Sequence, residues 1–438
     1  MEEAPHYGTL EKSIQALASQ HGHKENPTTL QVMGNITKHS LPNIFHFMLV
    51  WIIPTIGINA ISKGGDQNEI AGIGVAYAWL NTTTLFIIEH MCVGTLVFCA
   101  AAFGAEQKRL AGLYYHRGLV LRLLTLIPSS IFILLSYRIF VAFGVDEQIA
   151  EAAFTFSVYT LPYAIIVAVF YTTKYYVISQ EVNLPLVFIQ IVITGAHFGG
   201  CQFFVTYLGL GLKGVAYSLA ISHLIGLVIL MIYISRSSLF KETFFPLEKE
   251  SFRCLWKQLK NEAFVAAPCY MEWMALEIYT MISASNFSTY QIASWVIFYN
   301  INAIIYMVPY GLGMCAAVEV GNALGEKNVE KAKTVTRASL YVSLITIAIE
   351  ALVIYLVMTP FIAIYDSETE VIDITKLILT MYLFILPADF LQIIIMSILK
   401  ASGKEHLGTV LFFVCYYVFG ISTGYALGVT DGLETEGI

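Results

Sequence analysis

The acidic side chains of one apolar segment, PCYMEWMALEIY at residues 268–279, could carry ion or proton chemistry. Glu272 and Glu277 stand near its middle, among tryptophan and tyrosine side chains. Five residues correspond to about 500° of rotation at 3.6 residues per turn, so the two carboxylates are predicted to point about 140° apart. Glu277 shares its helix face with Trp273 and Tyr270, a combination that suits an organic cation. Glu272 lies on a drier face, which suits proton exchange.

Further polar residues lie in later apolar segments. Asp389 follows Pro387 by two residues, and Gln392 comes about one helical turn later. Proline frees a backbone carbonyl that can help to organise a polar site within a membrane. An earlier segment carries a polar ladder at helical spacing, which either lines a cavity or joins neighbouring helices. The ladder consists of Tyr299, Asn300, Asn302 and Tyr306.

The first half of the chain has a smaller polar group. It comprises Asn81, the threonines at 82–84 and the adjacent Glu89 and His90. The His–Glu pair could relay protons, but we favour a structural pair. The charged side chains that we predict to lie within the membrane, in both halves of the chain, are acidic.

Membrane-spanning helices are needed to position these residues. Of the 438 residues 57% are hydrophobic and 13% charged, which leaves too little polar surface for a soluble protein of this length. Continuous apolar runs approach or exceed the roughly 20 residues that cross a bilayer, whereas a β-barrel would show alternation. We predict eleven spans, at about 40–62, 70–103, 115–143, 150–178, 184–207, 212–235, 260–285, 292–322, 334–365, 374–400 and 405–428.

Charge in the loops predicts the orientation. Basic residues gather in alternate loops, for example around 108–122 and 327–337, and acidic residues gather in the intervening ones, for example around 366–373. Basic loops face the cytoplasm, which places the N-terminus inside. The first 39 residues are polar and contain no apolar stretch typical of a signal peptide.

An internal repeat divides the chain into halves. FGAEQKRLAG at 103–112 resembles LGEKNVEKAK at 324–333, and LPYAIIVAVFYTTKYYVISQ from residue 161 resembles LPADFLQIIIMSILKASGK from residue 386. The offsets, about 221 and 225 residues, agree, and transporters are commonly built from such duplications. In the first half a sixth span follows, whereas the second half ends at Ile438, so the repeat predicts a twelfth helix that this sequence lacks.

The predicted fold class is therefore an all-α polytopic membrane protein with two six-helix lobes, of which eleven helices are present. We expect a cytoplasmic tail over 1–39, an N-terminal lobe over 40–235, a cytoplasmic linker with an amphipathic helix over 236–259, and a C-terminal lobe over 260–438. No Walker A loop, catalytic triad or metal-ligand cluster is present in the sequence. We therefore predict no catalytic, cofactor-binding or metal-binding residues, and transport energised by an ion gradient.

The chain resembles the multidrug and toxic compound extrusion (MATE) family, especially its eukaryotic branch. The resemblance is carried by FCAAAFGAEQKRLAG after the second span, MEWMALE in the seventh, VPYGLGMCAAVEVGNALGEKNVEKA in the eighth, and ADFLQ and LKASGKEHLGT across the tenth and eleventh. It implies two six-helix lobes around a central cavity. It also implies antiport of organic cations, drugs or metabolites against protons or sodium.

The resemblance assigns roles by position. Asn81 and Tyr306 match cavity-lining positions, and Asn300 stands where relatives often carry another acid. Asn59 stands where many bacterial members place an ion-coupling aspartate, which favours proton coupling in the second lobe. Glu272, Glu277 and Asp389 match acidic residues that the eukaryotic branch uses to bind substrate or protons. The candidate substrate- and proton-binding residues are Glu272, Glu277, Asp389, Trp273, Tyr299, Asn300, Tyr306 and Asn81.

These observations predict a monomeric exporter of small organic cations or drug-like molecules that exchanges them for H⁺ by alternating access, with Na⁺ disfavoured and no cofactor. It would work in the lipid bilayer of the plasma membrane or of an acidic organelle, the vacuole or lysosome, and would bind no nucleic acid. One alternative is a flippase for lipids or lipid-linked oligosaccharides, whose cavity should carry Arg or Lys for phosphates. Another is a truncated, non-transporting paralogue.

Overall fold

The regular secondary structure of this chain is helical throughout the residues that the computed structural model describes, 27–64, 67–362 and 368–437. Twelve helices follow one another along these ranges. They are α1 Thr29–Ser62, α2 Gln67–Gly104, α3 Lys108–Ala142, α4 Glu147–Tyr159, α5 Leu161–Ile178, α6 Leu184–Tyr207, α7 Gly211–Arg236, α8 Leu255–Asn286, α9 Thr289–Gly325, α10 Val329–Ile362, α11 Thr369–Ala401 and α12 Glu405–Thr430.

Ten of these helices are long and apolar enough to cross a membrane, within the part of the chain that the structure describes. The eleven predicted spans correspond to them and to α8. Helix α8 has 32 residues but contains Glu272 and Glu277, whose carboxylates lower its mean hydropathy. The polytopic all-α prediction is confirmed, and the one span outside the ten is the span that carries Glu272 and Glu277.

The predicted span at 150–178 is two helices rather than one. Helix α4 ends at Tyr159 and α5 begins at Leu161, with Pro162 in its first turn. Because proline has no N–H, it cannot donate to the carbonyl of Val158 four residues earlier, and the helix is interrupted.

The structure divides the chain into two compact units. The N-terminal unit comprises residues 45–266, and the C-terminal unit comprises the described residues of 1–44 and 267–438. Helices α1 and α8 each contribute to both units. These boundaries differ from the predicted lobes because the beginning of α1 belongs to the C-terminal unit and the beginning of α8 belongs to the N-terminal unit.

In the N-terminal unit, α2 packs against α3, α4 and α5, and α6 packs against α7. The linker belongs to this unit as well. Arg109 of α3 forms an ion pair with Glu248 of the linker, with 2.6 Å between Nη2 and Oε2. His116 Nδ1, also on α3, lies 3.1 Å from Ser251 Oγ of the linker. Only short 3₁₀ turns occur at 238–240 and 249–252. The expected amphipathic surface helix is therefore not a separate element, because its second half forms the first turns of α8.

In the C-terminal unit, α9, α10 and α11 pack against one another. One apolar cluster joins them to the beginning of α1, where Val32 and Ile36 are buried. Residues 29–39 were expected to lie in a cytoplasmic tail, but they are the first three turns of α1. Two apolar side chains one turn apart are enough to fix this polar segment on the core. The rest of the predicted tail, residues 1–26, lies outside the described residues.

Candidate functional site

Glu272 of α8 is the centre of a hydrogen-bond network in the C-terminal unit. The side chain is 4% exposed. Its Oε2 accepts from the hydroxyl of Tyr306 on α9 at 2.8 Å, and its Oε1 accepts from Gln392 Nε2 on α11 at 2.9 Å and from the hydroxyl of Tyr416 on α12 at 3.1 Å. Three helices thus contribute one polar side chain each to a single buried carboxylate on α8.

Gln392 joins this carboxylate to a second one. Its Nε2 lies 2.8 Å from Asp389 Oδ1 and 2.8 Å from the hydroxyl oxygen of Tyr416, in addition to its contact with Glu272. The other oxygen of Asp389 accepts from the hydroxyl of Tyr382 at 2.7 Å. An amide nitrogen carries two hydrogens, which can serve one oxygen of each carboxylate, while Tyr416 gives its own hydroxyl hydrogen to Glu272. The two carboxylates therefore share one neutral donor group.

Glu277 lies apart from this network. Its Oε1 accepts from the hydroxyl of Tyr299 at 3.1 Å, and it is one and a half turns further along α8 than Glu272. The ring of Trp273 lies between the two sites, with its centroid 5.2 Å from that of Tyr306 and 6.3 Å from that of Tyr299. The two carboxylates have different partners, as their predicted rotation requires.

Close helix contacts hold this arrangement in place. A Cβ at Gly313 would lie 2.6 Å from Ser397 Oγ, and a Cβ at Gly424 would lie 2.8 Å from a ring carbon of Tyr279. Glycine therefore allows α9 to approach α11, and α12 to approach α8. The hydroxyl of Tyr417 also donates to the backbone carbonyl of Met271 at 3.0 Å, which fixes the neighbouring Tyr416 beside Glu272.

The structure does not bring every candidate residue into the network. Asn300 is exposed, and its amide donates to the carbonyl of Val296 in its own helix at 2.8 Å. Asn81 belongs to the N-terminal unit, where it begins a π-helical turn of α2 over Asn81–Leu85. Turns of this kind are frequent at functional sites.

Comparison with known proteins identifies the family. Residues 42–208 and 269–426 match the family model MatE. The chain belongs to the MatE family. It is 26% identical over 435 residues to Protein DETOXIFICATION 49 of Arabidopsis thaliana, an alignment that covers 97% of this chain and 86% of that protein. It is 23% identical over 394 residues to Multidrug and toxin extrusion protein 2 of Oryctolagus cuniculus, covering 89% of this chain and 64% of that one.

The fold agrees with the family. The crystal structure of the eukaryotic MATE transporter AtDTX14 matches with a TM-score of 0.88 at 20% identity, covering 93% of this chain and 91% of the other. This MatE protein is therefore a multi-pass membrane transporter and not an enzyme, and the resemblance to the family that its motifs indicated is confirmed.

Two tyrosines of the network around Glu272 and Asp389 are absent from the candidate residues that the sequence predicted. Tyr382 precedes Asp389 by seven residues, a spacing that places both on one face of α11, so this partner could have been found. Tyr416 lies among six other apolar or aromatic residues in FVCYYVFG, a π-helical part of α12. In such a segment, helical periodicity does not tell which tyrosine faces Glu272.

The N-terminal unit of the MatE protein contains basic residues that the sequence analysis overlooked. Arg122 on α3 and Lys174 on α5 are both fully buried. Arg122 forms an ion pair with Glu262, which also accepts from Thr95 and Gln258. The expectation that the charges within the spans are acidic is therefore wrong. Arg122 was counted with the basic loop around 108–122 and Lys174 was not singled out, because the partners of both lie on helices distant in sequence.

The expected pairing of Glu89 with His90 is replaced by other contacts. His90 Nδ1 lies 2.7 Å from the carbonyl oxygen of Phe86 in the same helix. Glu89 Oε1 instead accepts from the hydroxyl of Tyr175 at 3.2 Å and lies 4.0 Å from Lys174 Nζ. Adjacent residues in a helix point about 100° apart, so they reach different neighbours.

Proposed function

We propose that this MatE transporter is a secondary exporter that exchanges small organic cations for protons by alternating access, and that Glu272 and Asp389 carry the exchange. The observation on which the proposal rests is the shared amide of Gln392, which lies 2.9 Å from one carboxylate and 2.8 Å from the other.

The closeness of the two carboxylates supports proton uptake at this pair. Two ionised carboxylates bonded to the same nitrogen repel one another in a buried site. A proton on either Glu272 or Asp389 removes one negative charge and with it this repulsion. A cation in the same place would also compensate the charge, so proton and cation are expected to compete.

The surroundings of Glu277 support an organic cation as the exchanged solute. Its carboxylate, the hydroxyl of Tyr299 and the ring of Trp273 lie on neighbouring turns of α8 and α9. Aromatic faces attract quaternary and primary ammonium groups, and a carboxylate adds charge complementarity. Two relatives are named Protein DETOXIFICATION 49 and Multidrug and toxin extrusion protein 2, which agrees with export of drugs and toxins.

The flippase alternative needs basic side chains available for phosphate. Arg122 is paired with Glu262, Lys174 lies beside Glu89, and Lys400 donates to the sulfur of Cys269 at 3.0 Å. All three are buried and engaged with chain partners, so they favour the cation exporter over a carrier of phosphorylated lipids.

The central experiment uses purified protein in proteoliposomes that contain a fluorescent organic cation. An inward-directed proton gradient should drive efflux in the wild type and not in Glu272→Gln, because the amide keeps the shape but cannot exchange a proton. Glu330→Gln is the matched control, since Glu330 forms an exposed ion pair with Lys333 on the same unit. Undiminished efflux from Glu272→Gln would rule out this role.

The orientation can be tested on the same protein. We propose that the N-terminus and the linker face the cytoplasm, in the plasma membrane or the membrane of an acidic organelle, and that the transporter acts as a monomer. Cys254 in the linker is exposed. A membrane-impermeant maleimide should label it in inside-out vesicles and not in right-side-out vesicles or cells; labelling from outside would reverse the topology.

A further inference from the structure

The ammonium group of Lys174 lies in an aromatic cage inside the N-terminal unit. Its Nζ is 4.1 Å from the ring centroid of Tyr171, 4.8 Å from that of Tyr175 and 5.1 Å from that of Phe47. All three distances are within the roughly 6 Å over which an aromatic face attracts a cation. Rings from two helices, α1 and α5, therefore surround one nitrogen.

Glu89 completes the cage with a negative charge. Its Oε1 lies 4.0 Å from Lys174 Nζ and is oriented by the hydroxyl of Tyr175 at 3.2 Å. The lysine side chain is fully buried, whereas that of Glu89 is 19% exposed. Within the described residues Nζ has no hydrogen-bond partner, so it is held by charge and ring faces alone. This is the contact set expected for a bound alkylammonium ion, and here the ion is part of the chain.

We propose that Phe47, Glu89, Tyr171 and Tyr175 form a binding site for a small primary alkylammonium ion, and that Lys174 fills this site as a covalently attached cation. The carbon stem brings the ammonium into the cage without the loss of translational entropy that a free ion would incur. A cage filled in this way takes no exchangeable ion. If the proposed exchange is correct, its ion coupling is thereby confined to the C-terminal unit.

Removing the lysine should open the site. Lys174→Ala lacks Cγ, Cδ, Cε and Nζ, which together are the atoms of n-propylammonium. We expect Lys174→Ala to have a lower unfolding temperature than the wild type, and n-propylammonium chloride to raise it by about 2 °C or more, because a ligand that binds the folded state stabilises it. n-Propanol has nearly the same shape without the charge and should give a smaller rise.

Two controls separate this site from general salt or solvent effects. The wild type should gain no more from n-propylammonium than from n-propanol, since its cage is full. Lys213→Ala should behave like the wild type, because Lys213 is exposed and its ammonium lies over one ring, that of Tyr159, at 5.0 Å. An equal response to amine and alcohol in Lys174→Ala would overturn the proposal, as would an amine-specific response in Lys213→Ala.

A second pair of variants covers the case in which Lys174→Ala does not fold. Lys174→Met fills the volume without the charge and leaves Glu89 opposite aromatic rings, so its unfolding temperature should fall. Adding Glu89→Gln to Lys174→Met should restore part of that loss. If Lys174→Met is as stable as the wild type, the cage holds no ammonium ion. All these measurements use intrinsic fluorescence of the full chain in detergent, so a failure of cation export would not affect their outcome.

Discussion

The two units of this transporter treat buried charge differently. In the N-terminal unit, Arg122 and Lys174 each have a carboxylate of the same unit within 4.0 Å. In the C-terminal unit, two carboxylates, Glu272 and Asp389, share one neutral amide donor. Halves related by an internal repeat have thus acquired different electrostatics.

This difference indicates a division of labour. A buried acid–base pair compensates itself and gains nothing from a mobile ion, so it serves to specify packing. Two acids whose hydrogen bonds come from neutral donors can gain from a bound proton or cation. We therefore expect substitutions in the N-terminal pairs to affect mainly stability, and substitutions around Glu272 to affect mainly transport.

The largest effect on stability is expected from Arg122→Met, which leaves Glu262 as an unpaired charge in the interior. Breaking a buried pair in this way costs about 3–5 kcal/mol, measured by denaturant unfolding in detergent with tryptophan fluorescence. The double variant Arg122→Met with Glu262→Met should recover much of the loss, because no charge is then left buried. Equal stabilities of wild type and single variant would remove the contrast between the units.

A smaller loss is expected from Gly94→Ala. A Cβ at Gly94 would lie 2.7 Å from Glu262 Cγ and 2.9 Å from its Cα, so α2 and α8 would have to move apart at the ion pair. Overpacking of this kind costs about 1–3 kcal/mol. Gly199→Ala in the same unit is the control, because nothing lies within 4 Å of its added Cβ and alanine favours the helix by up to about 1 kcal/mol. The same unfolding assay applies; similar values for both glycines would argue against close packing at Glu262.

Tyr306→Phe should reduce proton-driven transport without unfolding the protein. It removes the 2.8 Å hydrogen bond to Glu272 Oε2 and keeps the ring beside Trp273. A hydrogen bond worth about 1–1.5 kcal/mol corresponds to a fivefold to tenfold lower rate at limiting substrate, by the usual conversion of about 1.4 kcal/mol per tenfold. Tyr341→Phe, at an exposed tyrosine of α10, should transport at the wild-type rate. A normal rate in Tyr306→Phe would mean that Glu272 does not depend on this donor.

The smallest effect is expected from Asn300→Ala. Its amide bonds within α9 and not to an acid, so the rate of cation efflux should change by no more than about twofold, the range of most surface substitutions. Tyr299→Phe is the informative neighbour, since it removes the donor to Glu277 and should reduce cation affinity. A larger loss in Asn300→Ala than in Tyr299→Phe would move the cation site away from Glu277.

Some parts of the site follow directly from spacing along one helix. The separation of Glu272 from Glu277, and the shared face of Asp389 and Tyr382, depend on the 3.6-residue period alone. The break before α5 follows from Pro162, which removes one donor wherever it stands in a helix. These features could be predicted because cause and effect lie within two turns of the same segment.

Other parts could not be predicted because they depend on contacts between segments far apart in the chain. Lys174 is the one charged residue of FYTTKYY, and its partner Glu89 lies 85 positions earlier. The start of α1 looked like a polar tail, although Val32 and Ile36 bury against the apolar cluster of α9 and α10. Helical periodicity shows neither which residue pairs with a charged side chain nor which segment packs over two apolar residues.

The sequence by itself therefore determined the membrane class, the helical spans, the repeat and the presence of acids in α8 and α11, because hydrophobic length and helical period are local properties. Only the tertiary structure decided which charges are compensated, since that depends on which side chains the helix packing brings within about 4 Å. It placed Arg122 against Glu262 and Lys174 beside Glu89, and it left Glu272 and Asp389 to share one amide.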